Sequence, residues 1–346
     1  MTRFPEFRSA CTSALKKHLT PELFERLKGL RTGNGFTLQD AIRSGIVNQD
    51  SRIGVYAGDA EAYQLFAHLF NPIIEEYHGF KPDEQEHGKL KTQALTVANP
   101  DPEGRYLLST RIRVGRNLDG FPLGPALSRA QRLEIEARIQ TALQQLPAEL
   151  AGHYLPLVGM TEEVRRQLIA DHFLFKAGDR FLEAAGLNRD WPEGRGIYHN
   201  AAKNFLVWVN EEDQLRIIAM QPGADLSAVF QRLLLALEKL EEQLSFLQDE
   251  RLGYLTSCPT NLGTALRASV HIRLPCLAEL QEDFTWLAGQ YQLQIRGIDG
   301  EHSAAADSVY DVSNRRRLGV AEGTCIKDLH AGIVALIDAE KTLSGD

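Results

Sequence analysis

The segment at residues 258–275 carries the residue types in this chain that are most able to do chemistry. Cys258 precedes a proline and a glycine-containing turn, and apolar and polar residues then alternate over 268–274. A period of two predicts a half-buried β-strand. Arg267 enters this strand directly from the turn. A thiol and an arginine placed in this way indicate a site that handles anions beside a nucleophile-like group.

Two further arginines, Arg111 and Arg113, lie two residues apart in a second strand-like segment at 109–116. Residues i and i+2 of a strand project from the same face, roughly 7 Å apart. That spacing suits two neighbouring phosphates of one nucleotide, each held by a planar fork of donors. On this pair alone, two solvated arginines on a surface strand are the open alternative.

The elements that must position these residues differ between the two ends of the chain. Helical apolar spacing recurs near the N-terminus at residues 6–19, 21–30 and 37–47. Asp59 is predicted to cap a longer helix that reaches about His78. Residues 81–105 are then polar, with several prolines and many charges, which is typical of a linker between domains.

Strand and helix patterns alternate in the rest of the chain. Ser128 and Gln131 form a capping box before a helix to about residue 146, and Thr161 is predicted to cap a helix to about residue 175. Strand patterns at 204–210 and 215–221 flank four polar residues, the spacing of a β-hairpin. Further helices are predicted at 226–247, 277–291 and 324–343.

The hairpin favours an antiparallel sheet over a doubly wound parallel one, so the predicted fold class is α+β. A chain of 346 residues is also long for a single core, which favours two domains. We expect a small all-helical N-terminal domain at 1–80 and a linker at 81–105. A larger C-terminal domain at 106–346 is expected to contain an antiparallel β-sheet flanked by helices.

Composition and charge argue against several classes of protein. The net charge of -8 disfavours a general nucleic-acid or anionic-membrane binder. No stretch approaches the roughly 18 apolar residues of a membrane span, and the N-terminus lacks the apolar core of a signal peptide. The four cysteines show no metal-ligand spacing and are expected to stay reduced, as in cytosol. P-loop, dinucleotide-binding and zinc-protease motifs are also missing from the sequence.

The run that begins at Cys258, the paired arginines and almost the whole chain resemble the phosphagen (guanidino) kinases, and within them the arginine kinases. The resemblance implies reversible transfer of the γ-phosphoryl group of ATP to the guanidinium of L-arginine, giving phosphoarginine and ADP, with Mg²⁺ as cofactor. It implies that residues 106–346 form the catalytic domain. It also implies a cytoplasmic enzyme without nucleic-acid or membrane partners; monomer and homodimer both stay open.

The same resemblance assigns residues to two halves of a site. Nucleotide phosphates and adenine would be bound by Arg111, Arg113, His172, Arg216, Arg267 and Arg296. The substrate guanidinium would be held by Glu212, Glu301 and Cys258. A guanidinium is a planar cation with five donors, so two carboxylates suit both its orientation and the removal of its proton. A thiolate of lowered pKa, beside the Thr260 hydroxyl, would add negative charge.

Specificity and closure are assigned to two loops by the resemblance. A short loop would receive the substrate's α-carboxylate and α-amine through Ser51, Ile53, Gly54 and Tyr56, and Tyr77 favours arginine over creatine as the acceptor. Residues 296–314 show no clear periodicity and are predicted to form a mobile lid. The chain departs from the arginine-kinase pattern at Arg52, Ala201, Asn204 and Asp299.

The remaining charged residues are given less specific roles. The arginine run at 315–317 is expected to be a solvated face rather than a phosphate site. No residue is predicted as a direct metal ligand, since magnesium in such sites is bound largely through phosphates and water. Asp213 is a candidate to act on the metal through water.

Three alternative functions stay open at this point. Another guanidine (taurocyamine, glycocyamine or lombricine) or a protein arginine side chain would change the acceptor, whereas a catalytically silent nucleotide-binding module would have no acceptor. The specificity loop at the N-terminus argues against a protein substrate. The presence of Glu212, Glu301 and Cys258 argues against a silent module.

Overall fold

The computed structural model describes residues 3–82, 87, 95–171, 173–175, 178–297 and 307–345. In this part of the chain the N-terminal region is helical, as predicted. Its elements are α1 (Ala14–His18), α2 (Pro21–Leu27), α3 (Leu38–Val47), α4 (Ala60–Leu65) and α5 (Ala67–His78).

Side-chain caps fix where these helices begin. Thr37 and Asp40 form a reciprocal capping box at the start of α3. Asp59 caps α4 by accepting a bond from the Ala62 amide, as predicted. The single helix predicted from Asp59 to His78 is divided, because Phe66 leaves the helical region at ψ 24°. The helix predicted from residue 6 begins only at Ala14.

Strands and helices alternate after residue 106. They are β1 (Leu107–Arg116), α6 (Arg129–Leu143), β2 (Gly152–Pro156), α7 (Glu162–Ala170), α8 (Arg180–Ala184), β3 (Gly196–Asn200), β4 (Phe205–Val209), β5 (Leu215–Pro222), α9 (Leu226–Glu241), β6 (Gln248–Asp249), β7 (Gly253–Tyr254), β8 (Leu266–Arg273), α10 (Pro275–Glu279), α11 (Gln281–Gln290), β9 (Leu293–Arg296), β10 (Val309–Asn314) and α12 (Glu322–Ser344). Short 3₁₀ turns occupy Gly124–Ala126 and Pro259–Asn261.

In the described residues, eight of these strands form one sheet in the order β2-β3-β4-β5-β1-β8-β10-β9. Every neighbouring pair is antiparallel. The predicted α+β class, with a helical N-terminal region and an antiparallel sheet flanked by helices, is therefore confirmed. The predicted hairpin corresponds to β4 and β5, in which Val209 pairs with Leu215.

Several predicted boundaries are wrong. The helix predicted to reach residue 247 ends at Glu241, and the pattern at 277–291 is two helices, α10 and α11. The lid predicted over 296–314 ends in a strand, because β10 pairs with both β8 and β9. Its buried Tyr310 and Val312 belong to the core on one face of the sheet. Three short strands, β2, β3 and β9, carried no clear signal in the sequence.

The two faces of the sheet have opposite character. Ile112 and Val114 of β1 are fully buried and belong to a core that includes side chains of α6, α9 and α12. Arg111 and Arg113 alternate with them and therefore lie on the other face. A second core joins α1 to α5 and also includes Leu123 and residues from the turns near β7. This polar character holds around β1 and β8, because over β3 to β5 the second face carries a further apolar core that includes Ile197, Leu206 and Ile218. The polar part of the second face is thus left for a site.

Part of the predicted linker is closely attached to the C-terminal region. The carboxylate of Asp101 accepts bonds from the amides of Tyr106 and Leu107, at 2.8 and 2.7 Å, and so fixes the start of β1. Ser227 of α9 bonds the main chain of Val97. No helix in the described ranges is long and apolar enough to cross a membrane.

Candidate functional site

A cavity of about 370 Å³ lies between the loop after α3, the β4–β5 hairpin tip, the turn after β7 and α8. It brings together residues that are distant in the sequence. Among the residues predicted to bind substrates, those on its wall are Ser51, Ile53, Gly54, Tyr56, Arg113, Glu212, Arg216, Cys258 and Arg296. Arg111 and Arg267 lie on the same face of the sheet beside Arg113.

A hydrogen bond and close backbone contacts restrict the conformation of the loop after α3. The Ser51 hydroxyl accepts a bond from the Gly54 amide at 3.0 Å. Gly54 has φ +82°, and a Cβ there would lie 2.9 Å from the Leu15 Cβ. A Cβ on Gly45 would lie 2.3 Å from the Gly54 carbonyl oxygen, so α3 and the loop touch through their backbones. The carbonyls of Arg52 and Ile53 also accept bonds from the amides of Ala14 and Leu15, at 2.9 and 3.0 Å, so the loop is anchored to α1 as well.

Tyr56 and Tyr77 add two aromatic side chains to the cavity wall. Burial raises the pKa of the Tyr56 hydroxyl well above its usual range, and Cys258 and Glu212 add to the effect. The guanidinium of Arg52 lies over the Tyr77 ring, 5.3 Å from its centroid. Tyr56 therefore stays a neutral hydroxyl, and Arg52 places a cation at the cavity rim.

The hairpin between β4 and β5 presents Glu212 to the cavity. Asn210 turns the chain with φ +55°, and its side-chain amide donates to the carbonyls of Arg132 and Gly194. Asp213 lies beneath the tip, 2% exposed, where one oxygen accepts bonds from Asn117 and the Ser257 amide. Asp213 is not among the residues that line this cavity, and its role through water stays a prediction.

Glu212 already holds a guanidinium, that of Arg216. Arg216 forms ion pairs with Glu212 and, at 2.7 Å, with Glu211. The amide nitrogen of Asn261 also donates to Glu212, at 3.3 Å. Burial raises the pKa of Glu212, Arg216 opposes this shift, and Asp213 and Glu211 add to it. A carboxylate held in this way binds a planar cation and is poised to accept a proton.

Cys258 is 8% exposed and lies at the start of the Pro259–Asn261 turn. Its sulfur is 3.2 Å from the Thr260 hydroxyl, the contact expected from the sequence. Burial, together with the nearby Glu212 carboxylate, raises the pKa of the Cys258 thiol to about 12. The lowered pKa predicted from the sequence is therefore wrong, because the thiol is desolvated and faces a carboxylate.

Strand register explains why the arginines meet. Arg113 of β1 pairs directly with Arg267 of β8, and Arg216 of β5 pairs with Gly115, two residues further along β1. Cross-strand partners share a face, so these side chains lie together at the centre of the sheet. The alternative of two solvated arginines on a surface strand is wrong, because β1 is a central strand and both side chains are partly buried.

The arginine cluster has more cations than carboxylates. Burial lowers the pKa of Arg111 to about 10, with Arg267 adding to the effect, and lowers that of Arg113 for the same reason. Arg267 pairs with Asp311 at 2.8 Å, and Arg111 lies over the Trp208 ring. In the described structure, buried Nε and Nη2 atoms of Arg111 have no hydrogen-bond partner. Crowded, desolvated guanidinium groups of this kind favour a bound polyanion.

Several predicted residues cannot be assigned a position. His172, Glu301 and Asp299 lie outside the described residues, as does the segment 298–306 of the predicted lid. Their roles stay predictions.

Sequence reasoning also missed several residues of the site, among them Glu211, which lines the cavity and pairs with Arg216. Arg317, expected on a solvated face, is 5% exposed and lies on the cavity wall. Asn261 contacts Glu212, and it had no predicted role. The amide and hydroxyl of Thr264 both donate to the Arg317 carbonyl, at 2.9 and 3.1 Å, which holds this segment against the turn before β8; local composition carries no signal for this contact.

Two family models match the chain. The model of the N-terminal domain of ATP:guanido phosphotransferases matches residues 9–75, and that of their C-terminal catalytic domain matches residues 134–343. The arginine kinase Lit v 2.0101 of Penaeus vannamei is 53% identical over 339 residues, which cover 98% of this chain and 95% of that protein. An arginine kinase of Penaeus japonicus is 52% identical, with coverage of 98% and 96%.

Solved structures of proteins named for other substrates have the same fold. A lombricine kinase superimposes with a TM-score of 0.90 at 39% identity, over 99% of this chain and 95% of that one. The duplicated taurocyamine kinase of Schistosoma mansoni gives a TM-score of 0.92 at 40% identity. The match covers 98% of this chain and 48% of the duplicated one, so this chain spans about half of that protein.

Proposed function

The chain belongs to the ATP:guanido phosphotransferase family, and from that premise we propose that it phosphorylates free L-arginine. The reaction is reversible transfer of the γ-phosphoryl group of ATP to a guanidinium nitrogen, which gives phosphoarginine and ADP. One observation carries the proposal: a single cavity is lined by the loop at Ser51 to Tyr56, by Glu212 with Cys258, and by a group of arginines.

The guanidinium half of the site uses Glu212 and Cys258. The carboxylate of Glu212 orients the planar cation by charge-assisted hydrogen bonds. As a guanidinium nitrogen attacks the γ-phosphorus, the bond to the ADP oxygen breaks and Glu212 accepts the proton that the nitrogen loses. Cys258 lies beside the bound cation, whose charge favours the thiolate, and forms no covalent bond. The family resemblance adds Glu301 as the second carboxylate.

The nucleotide half uses the arginines of the polar sheet face. Arg111, Arg113, Arg216, Arg267 and Arg296 would bind the phosphates and stabilise the charge of the transferred group. His172 would lie beside the adenine. These fixed cations lower the barrier by alignment and by charge neutralisation.

Magnesium is proposed as the cofactor that accompanies the nucleotide. Over the described ranges, no three His, Cys, Asp or Glu side chains cluster in a way that would hold a metal ion. The cavity carboxylates Glu211 and Glu212 both pair with Arg216. We propose that Glu211 contacts the metal's water shell. When bound, magnesium would neutralise phosphate charge.

The loop after α3 is proposed to select the acceptor. Backbone groups of Ile53 and Gly54 and the hydroxyls of Ser51 and Tyr56 would bind the α-carboxylate and α-amine of free arginine. The proposal places this loop in an N-terminal domain at 1–80. Residues 81–105 would join that domain to a catalytic domain at 106–346. A cytoplasmic location, without nucleic-acid or membrane partners, completes the proposal.

An acceptor panel tests the proposed function. ATP-dependent phosphorylation would be measured with arginine, taurocyamine, glycocyamine, lombricine and an arginine-containing protein under one set of conditions. The highest kcat/KM is expected with arginine. A calorimetric titration should also detect a tight complex of ADP, nitrate and arginine, because nitrate resembles the planar group in transfer. Higher activity with another acceptor would overturn the choice of arginine, and ADP binding without any turnover would indicate a silent module.

A further inference from the structure

Arg317 is a buried cation whose guanidinium is directed at the turn that carries Cys258. Its Nη1 donates to the Thr260 carbonyl at 2.7 Å and also to the side-chain oxygen of Asn261. The neighbouring Arg316 instead pairs with Asp328 outside the cavity. Two adjacent arginines in one sequence run therefore have unrelated environments.

The contact with Arg317 decides which way the Asn261 amide points. A guanidinium has donors and no acceptor, so it can face only the oxygen of the amide. The NH₂ group of Asn261 is consequently directed away from Arg317 and reaches Glu212, at 3.3 Å. An amide reversed by 180° would place its oxygen against the carboxylate, which is repulsive.

The same arginine also fixes the surroundings of Cys258. The backbone N–H of Asn261 closes the turn by donating to the Cys258 carbonyl at 3.0 Å. Thr260, whose carbonyl Arg317 binds, contacts the Cys258 sulfur through its hydroxyl at 3.2 Å. One buried cation thus anchors both of the groups that face the substrate guanidinium.

We propose that Asn261 and Arg317 are positioning residues for the phosphoryl transfer. Arg317 sets the orientation of the Asn261 amide, and Asn261 in turn holds the Glu212 carboxylate in its charged form and in line with the guanidinium. The inference rests on the proposed function, because it takes Glu212 as the group that binds and deprotonates the acceptor.

Kinetics of Asn261→Ala test the effect on Glu212. Loss of the donor should lower kcat roughly tenfold, because the carboxylate is no longer aligned, while the Kd for ADP stays within twofold. A hydrogen bond to a carboxylate favours its charged form, so the acidic limb of the kcat profile should move to higher pH, by about half a unit to one unit. The charged and titratable groups that face Glu212 are unchanged in this variant; they are Arg113, Arg216, Glu211, Asp213, Cys258, Tyr56 and Tyr63.

Variants at Arg317 test whether it acts through Asn261. Arg317→Lys keeps the charge, but its ammonium ends one atom short of the Nη1 that makes both bonds, so it should reproduce a large part of the kcat loss and the pH shift. The double variant Asn261→Ala/Arg317→Lys should be no worse than Asn261→Ala. Arg316→Ala is the matched control and should behave as wild type. A tenfold weaker ADP complex in Arg317→Lys, with kcat preserved at saturation, would mean that Arg317 binds phosphate instead.

Thiol chemistry tests the anchored turn independently of kinase activity. Iodoacetamide modification of Cys258, followed by mass spectrometry without added substrates, should be several-fold faster in Arg317→Lys than in wild type or Arg316→Ala. Tm measurements would establish that the variants are folded. Unchanged modification together with an unchanged pH profile would refute the proposal. If wild type phosphorylates no guanidine, the proposed function fails, and the modification rates still decide whether Arg317 anchors the turn.

Discussion

Glu212→Gln should separate acceptor chemistry from nucleotide binding, because it keeps the side-chain shape and removes the charge. Glu212 is 13% exposed at the side chain and contacts Arg216 and Asn261. In such a site a charged hydrogen bond to the reacting guanidinium exceeds a neutral one by about 3 kcal/mol. At about 1.4 kcal/mol for each factor of ten, this corresponds to a roughly 150-fold loss of kcat.

The same substitution should tighten ADP binding. Arg216 pairs with Glu211 and Glu212 at once, so the phosphates of ADP compete with both carboxylates for this arginine. Removal of the Glu212 charge weakens the ion pairing that competes for Arg216 by only about 1 kcal/mol, because Glu211 stays in place. This corresponds to a roughly fivefold lower Kd for ADP.

A coupled ATP assay would give kcat, and calorimetry would give the Kd for ADP. Glu211→Gln is the matched variant: it should tighten ADP binding similarly, with a loss of kcat at least tenfold smaller. A kcat for Glu212→Gln within threefold of wild type would refute its role with the acceptor. A tenfold weaker ADP complex would instead show that Glu212 belongs to the nucleotide half of the site.

Three further predictions concern the cavity wall. Gly45→Ala should raise KM for arginine at least fivefold, because its Cβ would meet the Gly54 carbonyl oxygen at 2.3 Å. Gly29 has open space around it, so Gly29→Ala should leave KM unchanged. Equal KM values in the two variants would contradict this prediction. Modification of Cys258 by iodoacetamide should accelerate about tenfold per pH unit between about pH 7 and 10, because burial raises its pKa to about 12, and a plateau below pH 8 would indicate a low pKa instead. Arg52→Ala should raise KM for arginine about threefold at low salt and less at high salt, with kcat unchanged. The reason is that an exposed cation at the rim attracts the α-carboxylate only through charge that salt screens. An increase in KM that does not depend on salt would count against this role.

Much of the local structure follows from the sequence. Asp59 and Ser128 begin helices where their capping patterns predict, and the polar residues at 211–214 connect β4 to β5. Arg111 and Arg113 share a face because the strand period is two. These features depend on hydrogen bonds and steric contacts between residues a few positions apart, so a linear pattern contains them.

Other features of the site needed the assembled sheet and the docked helices. Arg317 and Asn261 are 56 residues apart, and nothing in the 315–317 run distinguishes the buried arginine from the exposed ones. The pairing of Glu212 with Arg216 and the raised pKa of Cys258 depend on burial and on neighbouring charges. The sequence alone determined the reactive residue types, the local elements and the family resemblance; the tertiary structure decided which charges face each other, because register and packing are set by contacts between distant segments.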